Sequence, residues 1–208
     1  MCDLSGNGNH MFWSSDAAPL YTTFNGYGVL RTTPIVATQS AISTQTYNSL
    51  QTGSQPFSVV AMFKPNSITP HKIFFTAGNP SGGYGQTFHS IAINDESKYV
   101  GGAWGTLGTW GSKLGTDPST SEYVMMVTTF DGTTESVYIN GVLEKSAAMT
   151  LSIPVSASNN VVLGCSFDPT ASMDADIGVL LMYNRALSSS DITQIYSAYA
   201  PRFVLTGI

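Results

Sequence analysis

Residues 122–145, EYVMMVTTFDGTTESVYINGVLEK, carry the strongest structural signal in this sequence. Two runs rich in Val, Met, Thr, Tyr and Phe flank Asp131-Gly132, and a third short run follows Asn140-Gly141. Asp-Gly and Asn-Gly pairs tolerate the positive φ angles that tight hairpin turns require. The stretch therefore predicts three consecutive antiparallel strands.

The first of these strands is apolar on both of its faces. Tyr123, Met125 and Val127 alternate with Val124, Met126 and Phe130. A strand with two apolar faces is typical of a position between two layers. In the second strand, Val137 and Ile139 alternate with Ser136 and Tyr138. This pattern predicts a more peripheral strand with one face in the core.

The length and composition indicate one domain, residues 1–208, with residues 201–208 as a C-terminal extension. The chain has 208 residues, of which 10% are charged, against about 25% in typical soluble domains. A net charge of -5 with only 8 Lys and Arg argues against nucleic acid as a partner. No run approaches the ~18 apolar residues of a membrane span, so no membrane insertion is expected. The start, MCDLSGNGNHM, lacks the features of a signal peptide, so we do not expect ordinary secretion if Met1 is the genuine first residue.

Turn signals every eight to twelve residues separate further strand patterns. We predict strands over residues 57–64, 73–77, 88–94, 99–104, 151–155, 160–165 and 177–184. Residues 24–32 and 33–39 are expected to form edge or short strands, interrupted by Gly26, Gly28 and Pro34. One helix is expected after Ser188, whose side chain can cap the first turn together with Asp191. Apolar side chains then follow at helical spacing, and Pro201 is expected to end the helix. Many short strands and one helix indicate a β-sandwich.

The sequence resembles the laminin-G-like (concanavalin A-like) jelly-roll domains. The resemblance rests on residues 3–9 (DLSGNGN), 56–65 (PFSVVAMFKP), 130–132 (FDG) with 138–141 (YING), and 183–188 (YNRALS), in that order. Two departures are that Tyr123 stands where family members often have tryptophan, and that the chain begins almost on the first motif. The resemblance implies an all-β, two-sheet antiparallel jelly-roll sandwich with one short C-terminal helix. Members mostly bind glycans or proteins, sometimes with a calcium ion at the rim, and seldom catalyse reactions.

The residues also argue against catalysis. Some sandwiches of this shape hydrolyse glycosides with two carboxylates, commonly at alternate positions of one strand. The four glutamates are Glu96, Glu122, Glu135 and Glu144, and none is followed two residues later by an acid. No Gly-x-Ser-x-Gly elbow occurs, and the histidines at positions 10, 71 and 89 lack the spacing of a zinc site. We therefore expect no enzymatic activity and no required cofactor.

Aromatic residues in glycine-rich loops are the candidate ligand-binding residues. Tyr84, Trp104 and Trp110 stand beside glycines, where flat rings can be presented for stacking on sugars or for protein contact. Asn79 and Gln86 can supply oriented hydrogen bonds to a polar ligand. The alternative for Trp104 is that it plugs one end of the core. For Tyr84 and Trp110, purely structural positions are as compatible with the sequence as binding.

Two smaller sets of residues leave alternatives open. Asp174 and Asp176 share a face if Ala175 lies in a strand, and with Asp168 they could hold calcium, which prefers several oxygen ligands. The alternative is a solvated or structural pair of acids. The cysteines at positions 2 and 165 are either free thiols or a disulfide, and the sequence does not decide between them.

These observations favour a non-catalytic module on the surface of a virion, such as that of a tailed bacteriophage. It would recognise glycans or host-surface molecules through rim loops, with other virion proteins as neighbours. One alternative is a purely structural capsid or fibre component that contacts neighbouring subunits. Another is a carbohydrate-binding module of a secreted, extracellular bacterial protein. Self-association into a homo-oligomer and the identity of the ligand are left open.

Overall fold

Eleven strands and one helix make up the part of the chain that the computed structural model describes. That part comprises residues 20–32, 52–78, 87–94, 96–103, 114–153, 160–164 and 171–206, with the backbone alone at 87–91, 102, 103 and 160. The strands are β1 (Leu20–Phe24), β2 (Tyr27–Thr32), β3 (Phe57–Pro65), β4 (Lys72–Gly78), β5 (Thr87–Ile93), β6 (Tyr99–Ala103), β7 (Val124–Phe130), β8 (Thr134–Ile139), β9 (Val142–Ala148), β10 (Asn160–Leu163) and β11 (Ala175–Tyr183). The helix α1 is Ser189–Phe203.

The strands form two antiparallel sheets. The larger has the order β1-β2-β11-β3-β7-β8-β9 and the smaller has the order β10-β4-β5-β6. One apolar core lies between the sheets, and a second lies between the larger sheet and α1. The expected two-sheet antiparallel sandwich with one short helix is confirmed.

Strand β7 is buried on both faces, as its sequence predicts. Val124, Met126 and Phe130 belong to the core between the sheets. Met125 and Val127 belong to the core beneath the helix, together with Tyr123, which immediately precedes the strand. Strand β7 pairs with β8, and β8 pairs with the edge strand β9. The three consecutive antiparallel strands and the peripheral place of the second are therefore confirmed.

The two turns in this region use different chemistry. Asn140 and Gly141 have φ angles of 48° and 86°, so a two-residue turn joins β8 to β9. Three residues join β7 to β8, and there the Asp131 carboxylate accepts hydrogen bonds from the amides of Thr133 (2.9 Å) and Thr134 (2.8 Å). These two hydrogen bonds are the largest cause of the lowered pKa of the Asp131 carboxyl group.

The interruption predicted at Gly26 within residues 24–32 is a turn: Asn25 (φ 48°) and Gly26 (φ 78°) join β1 to β2, whereas β2 continues through Gly28. The strand prediction at 151–155 needs correction. Residues 151–153, in the described half of the strand predicted at 151–155, form only an isolated bridge between Ile153 and Gly53. Leu151 and Ile153 are still buried in the core between the sheets. Their apolar character therefore reflects side-chain packing and not membership of a β-strand. The strand predicted at 33–39 lies outside the described residues.

The helix begins as predicted but ends later. Ser188 accepts a hydrogen bond from the Asp191 amide (3.2 Å), and Asp191 accepts one from the Ser188 amide (2.8 Å), which completes a capping box. The prediction that Pro201 ends the helix is wrong: α1 runs to Phe203 and is capped by Val204 at φ 55°. None of the helical segments in the described ranges has the length and apolar character that crossing a membrane requires.

Phe203 explains why the helix continues past the proline. Its ring is 1% exposed and lies directly over Gly178, where an added Cβ would overlap the ring carbons. The pairing of β11 shifts register between Ile177 and Val179, so Gly178 lies in a bulge of the strand. The predicted extension at 201–208 thus contributes Phe203 and the buried Leu205 to the core beneath the helix.

The β1–β2 hairpin closes over the same core. Strand β2 pairs with β11 over only three residues, and the hairpin tip lies against the end of α1. The ring of Phe24 lies 4.6 Å from that of Tyr123 and 6.4 Å from that of Phe203, measured between centroids. Early and late parts of the chain therefore meet at one aromatic cluster.

Candidate ligand-binding surface

The residues predicted to bind a ligand fall in two stretches of sequence, one between β4 and β5 and one after β6. Asn79, Tyr84, Gln86, Trp104 and Trp110 all lie outside the described residues. The strand ends that flank them are described. Gly78, which ends β4, pairs with Thr87, which begins β5. Ala103, which ends β6, pairs with Phe88. Segments 79–86 and 104–113 therefore both leave the same end of the smaller sheet.

The smaller sheet packs tightly against β7 and β8 of the larger sheet. Gly101 of β6 approaches β7 and β8 so closely that an added Cβ would lie 3.0 Å from Val137 and 3.4 Å from both Glu135 and Thr128. The Tyr99 ring meets Phe63 edge-on with 5.9 Å between centroids, and burial raises the pKa of the Tyr99 hydroxyl. Loops that leave a packed sandwich can present side chains in fixed positions, which is a common arrangement of binding sites.

The predicted acidic pair is built into a network of charges. Asp176 is 4% exposed, and Arg31 donates to both of its oxygens, from Nε at 2.6 Å and Nη2 at 2.8 Å. Lys64 Nζ lies 3.4 Å from Oδ2 of Asp176. Asn66 donates to Asp176 (3.2 Å) and to Asp174 (3.0 Å), so its amide joins the two acids. Positions 31, 64, 66, 174 and 176 thus form one side-chain cluster.

Charge and hydrogen bonding set the ionisation of Asp176. Burial would raise the pKa of its carboxyl group, but the hydrogen bonds from Arg31 and Asn66 and the charges of Arg31 and Lys64 outweigh burial. The pKa of Asp176 therefore lies below its ordinary value. A group of this kind remains ionised near neutral pH and does not serve as a general acid.

The calcium site stays a prediction. Asp168 lies outside the described residues, and within the described part no three His, Cys, Asp or Glu side chains are grouped as metal ligands. The oxygens of Asp176 already accept bonds from Arg31 and Asn66. Any calcium at this place would compete with the Arg31 guanidinium for the same oxygens.

Two glutamates that could be considered for acid-base chemistry have structural positions. Glu135 is fully buried on the inner face of β8, where a ligand in solvent does not reach it. Glu144 accepts hydrogen bonds from the Gly115 amide (2.7 Å) and from the Thr116 hydroxyl (2.6 Å). These bonds tie the segment before β7 to the edge strand β9.

The structure also exposes two aromatic residues that the sequence analysis missed. Tyr21 on β1 is 74% exposed and lies across Gly28, where an added Cβ would overlap its hydroxyl. Tyr27 is 46% exposed beside the hairpin turn. The signal that could have found both residues is Asn25-Gly26, the same kind of pair that marks the β8–β9 turn.

Three solved structures of other proteins share the fold. The binding domain of Paraclostridial Mosquitocidal Protein 1 aligns with a TM-score of 0.63 and 15% identity over 95% of this chain and 49% of that one. Domain 4 of an extracellular arabinanase from Geobacillus stearothermophilus, solved with arabinotriose, aligns with a TM-score of 0.57 and 22% identity. This alignment covers 86% of this chain and 81% of the arabinanase domain. A mutant Trypanosoma rangeli sialidase displaying trans-sialidase activity aligns with a TM-score of 0.51 and 12% identity, over 86% of this chain and 31% of the sialidase chain. This chain therefore spans about half the length of the Paraclostridial binding domain, and at these identities the likeness is one of fold.

Sequence comparison gives the family. No curated protein sequence matches the chain significantly. The family model described as the concanavalin A-like lectin/glucanases superfamily matches residues 37–193, which is more than half of the chain. The match agrees with the resemblance in the sequence and with the two antiparallel sheets. The chain therefore belongs to the concanavalin A-like lectin/glucanase superfamily.

Proposed function

We propose that this domain is a non-catalytic recognition module that binds a neutral glycan through the two loops leaving one end of the smaller sheet. The observation that carries the proposal is the register of Gly78 with Thr87 and of Ala103 with Phe88. It brings together the ends of the two segments that hold Tyr84 and Trp110. Aromatic rings with nearby amide side chains suit the stacking and hydrogen bonding of sugars.

Three further observations support a binding role. Asp131, Glu144, Asp176 and Asp191 are engaged in structural contacts. The pKa of Asp176 is lowered, whereas a glycosidase acid requires a raised pKa. Among proteins of the same fold, the arabinanase domain was solved with arabinotriose and the Paraclostridial domain is a binding domain. A chain in which only 10% of the residues are charged suits a neutral polar ligand.

The setting that we propose is the surface of a virion, where many copies would act together because weak single sites gain strength by repetition. A secreted bacterial protein is the alternative setting for the same module. A structural role in a capsid or fibre is the second candidate function. It is favoured by the edge strand β9, which exposes Val142 (45%) and Leu143 (52%) where a neighbouring subunit could pack.

A glycan array tests the recognition module. We expect the unmodified chain to bind a set of neutral oligosaccharides, and Tyr84→Ala and Trp110→Ala each to weaken binding about tenfold or more, since losing an anchoring aromatic costs about 1–2 kcal/mol. Tyr21→Ala is the matched control, because Tyr21 is an exposed tyrosine of the other sheet.

Absence of glycan binding by the unmodified chain would contradict the recognition module. An equal loss in Tyr21→Ala would contradict the assignment to these loops. Assembly of the chain into particles with no glycan binding would favour the structural role.

A further inference from the structure

Two of the three arginines in this chain are paired with carboxylates. Arg31 makes two parallel hydrogen bonds to Asp176, at 2.6 and 2.8 Å. Arg185 makes two to Asp191, at 2.7 and 3.0 Å. The planar guanidinium fork matches a carboxylate in this bidentate geometry. These pairs show the form of contact that the third arginine, Arg202, lacks among the described residues.

Arg202 is instead held between two aromatic rings. Its guanidinium carbon lies 4.4 Å from the centroid of the Tyr27 ring and 5.0 Å from that of Phe203. Its Nε is buried and meets no hydrogen-bond acceptor in the described part of the chain. Stacking on rings fixes the orientation of a guanidinium without using its N–H donors. The rings therefore orient the side chain, and its Nη groups donate to no other described residue.

The tip of the β1–β2 hairpin lies beside Arg202. Asn25 donates to the Arg202 carbonyl oxygen at 3.5 Å, which joins the β1–β2 turn to the last turn of α1. Asn25 and Gly26 both have positive φ, so the turn is tight, and a Cβ at Gly26 would meet no atom within 4 Å. Tyr27 and Val204 remain exposed beside it. The arrangement is an open surface that combines a cation, an aromatic ring and a small turn.

We propose that Arg202, Tyr27 and the Asn25-Gly26 turn form a second binding site, for the carboxylate of an acidic sugar such as a uronic acid. The carboxylate accepts hydrogen bonds from the two Nη groups of Arg202, as Asp191 does from Arg185, and the exposed part of Tyr27 contacts the sugar ring. A sugar is favoured over a flexible acidic peptide because a rigid ring beside an aromatic surface costs little ordering entropy.

This site is separate from the proposed loop site. The hairpin belongs to the larger sheet, whereas segments 79–86 and 104–113 leave the smaller one. The loop site is proposed for neutral glycans, and the hairpin site requires a charge on the ligand. A negative binding result for one site therefore does not contradict the proposal for the other.

The test is a titration of the whole chain with tri-galacturonic acid, followed by calorimetry and by the ¹⁵N side-chain resonances of the arginine Nε groups. The fully methyl-esterified trimer is the matched ligand, since it keeps the rings and loses the charges. We expect the acid to bind and to shift the Arg202 signal, while the signals of Arg31 and Arg185 stay in place. The ester should bind at least tenfold more weakly.

Three variants separate the effect of the planar guanidinium geometry on binding from the effect of the positive charge. Arg202→Gln should weaken binding of the acid at least tenfold, and Arg202→Lys should lie between it and the unmodified chain because it keeps the charge and loses the fork. Lys145→Gln removes the same charge from an exposed position on β9 and should change the affinity by less than about twofold.

Equal binding of acid and ester would overturn the proposal, as would an unmoved Arg202 signal or no binding at millimolar acid. Equal affinities of Arg202→Gln and the unmodified chain would also overturn it. If Arg202→Gln does not fold, the resonance shift in the unmodified chain decides the question.

Discussion

Phe203→Ala is expected to lower the free energy of unfolding by about 3–5 kcal/mol, the usual cost of removing a fully buried phenylalanine. Phe203 is 1% exposed, and its ring lies 5.0 Å from that of Tyr123 between centroids. The change would leave a cavity between α1, the hairpin and Gly178. Urea unfolding followed by tryptophan fluorescence and by circular dichroism measures the loss.

Val204→Ala is the matched control, because Val204 is adjacent in sequence and 63% exposed. It should cost less than about 1 kcal/mol, as surface substitutions do. Equal losses in Phe203→Ala and Val204→Ala would show that the end of the helix does not anchor the second core.

Gly178→Ala probes the same contact from the other side. The added methyl group would overlap the Phe203 ring, so we expect a loss of about 1–3 kcal/mol from overpacking. In a Phe203→Ala background this cost should largely disappear, because the space is then free. A double-mutant cycle measures the coupling, and additive effects would contradict the close approach.

Asp176→Asn is expected to destabilise the fold in a pH-dependent manner. The substitution removes the charge that Arg31 and Lys64 share. Removing one partner of a buried pair costs about 3–5 kcal/mol, but the Arg31 side chain is 41% exposed, and screening reduces our expectation to about 1–3 kcal/mol at pH 7.

The pH dependence follows from the lowered pKa of Asp176. Burial opposes the lowering, and the hydrogen bonds and charges of Arg31, Asn66 and Lys64 outweigh it. The stabilisation is therefore present above the unfolded-state pKa of about 3.9 and is lost as the pH falls through the lower folded-state value. The difference between the unmodified chain and Asp176→Asn should be constant from about pH 7 to 5 and should shrink below about pH 4.

Denaturant titrations at several pH values measure this difference. Asp117→Asn is the control, because Asp117 also pairs with a lysine, Lys98, but its side chain is 66% exposed. An exposed pair contributes little to stability, so this variant should change it by less than about 1 kcal/mol at any pH. A pH-independent difference for Asp176→Asn would contradict an ionised and stabilising carboxylate.

Local turn chemistry explains why much of the fold could be predicted. The β7–β8–β9 meander follows from Gly132, Asn140 and Gly141, whose backbone angles match what hairpins require. The capping box at Ser188 and Asp191 likewise depends only on residues three positions apart. The same kind of pair, Asn25-Gly26, marks the β1–β2 turn, but β1 is a short, mostly exposed edge strand, so the sequence pattern does not separate it clearly from β2.

Features that depend on distant contacts could not be predicted. Pro201 breaks helices in isolation, yet here the burial of Phe203 keeps the last turn in place. Arg31 and Asp176 are 145 positions apart, so no spacing in the sequence relates them. The position of Arg202 between Tyr27 and Phe203 depends on the same docking of the hairpin on the helix.

The place of β11 in the larger sheet bears on how this chain is made. Strand β11 lies between β2 and β3, although more than a hundred residues separate it from either of them in the sequence. During synthesis, β2 and β3 leave the ribosome long before the strand that joins them, and their unpaired edges are open to other chains. Acquisition of the native state must therefore wait for residues 175–203, and a truncated nascent chain is expected to need chaperone protection.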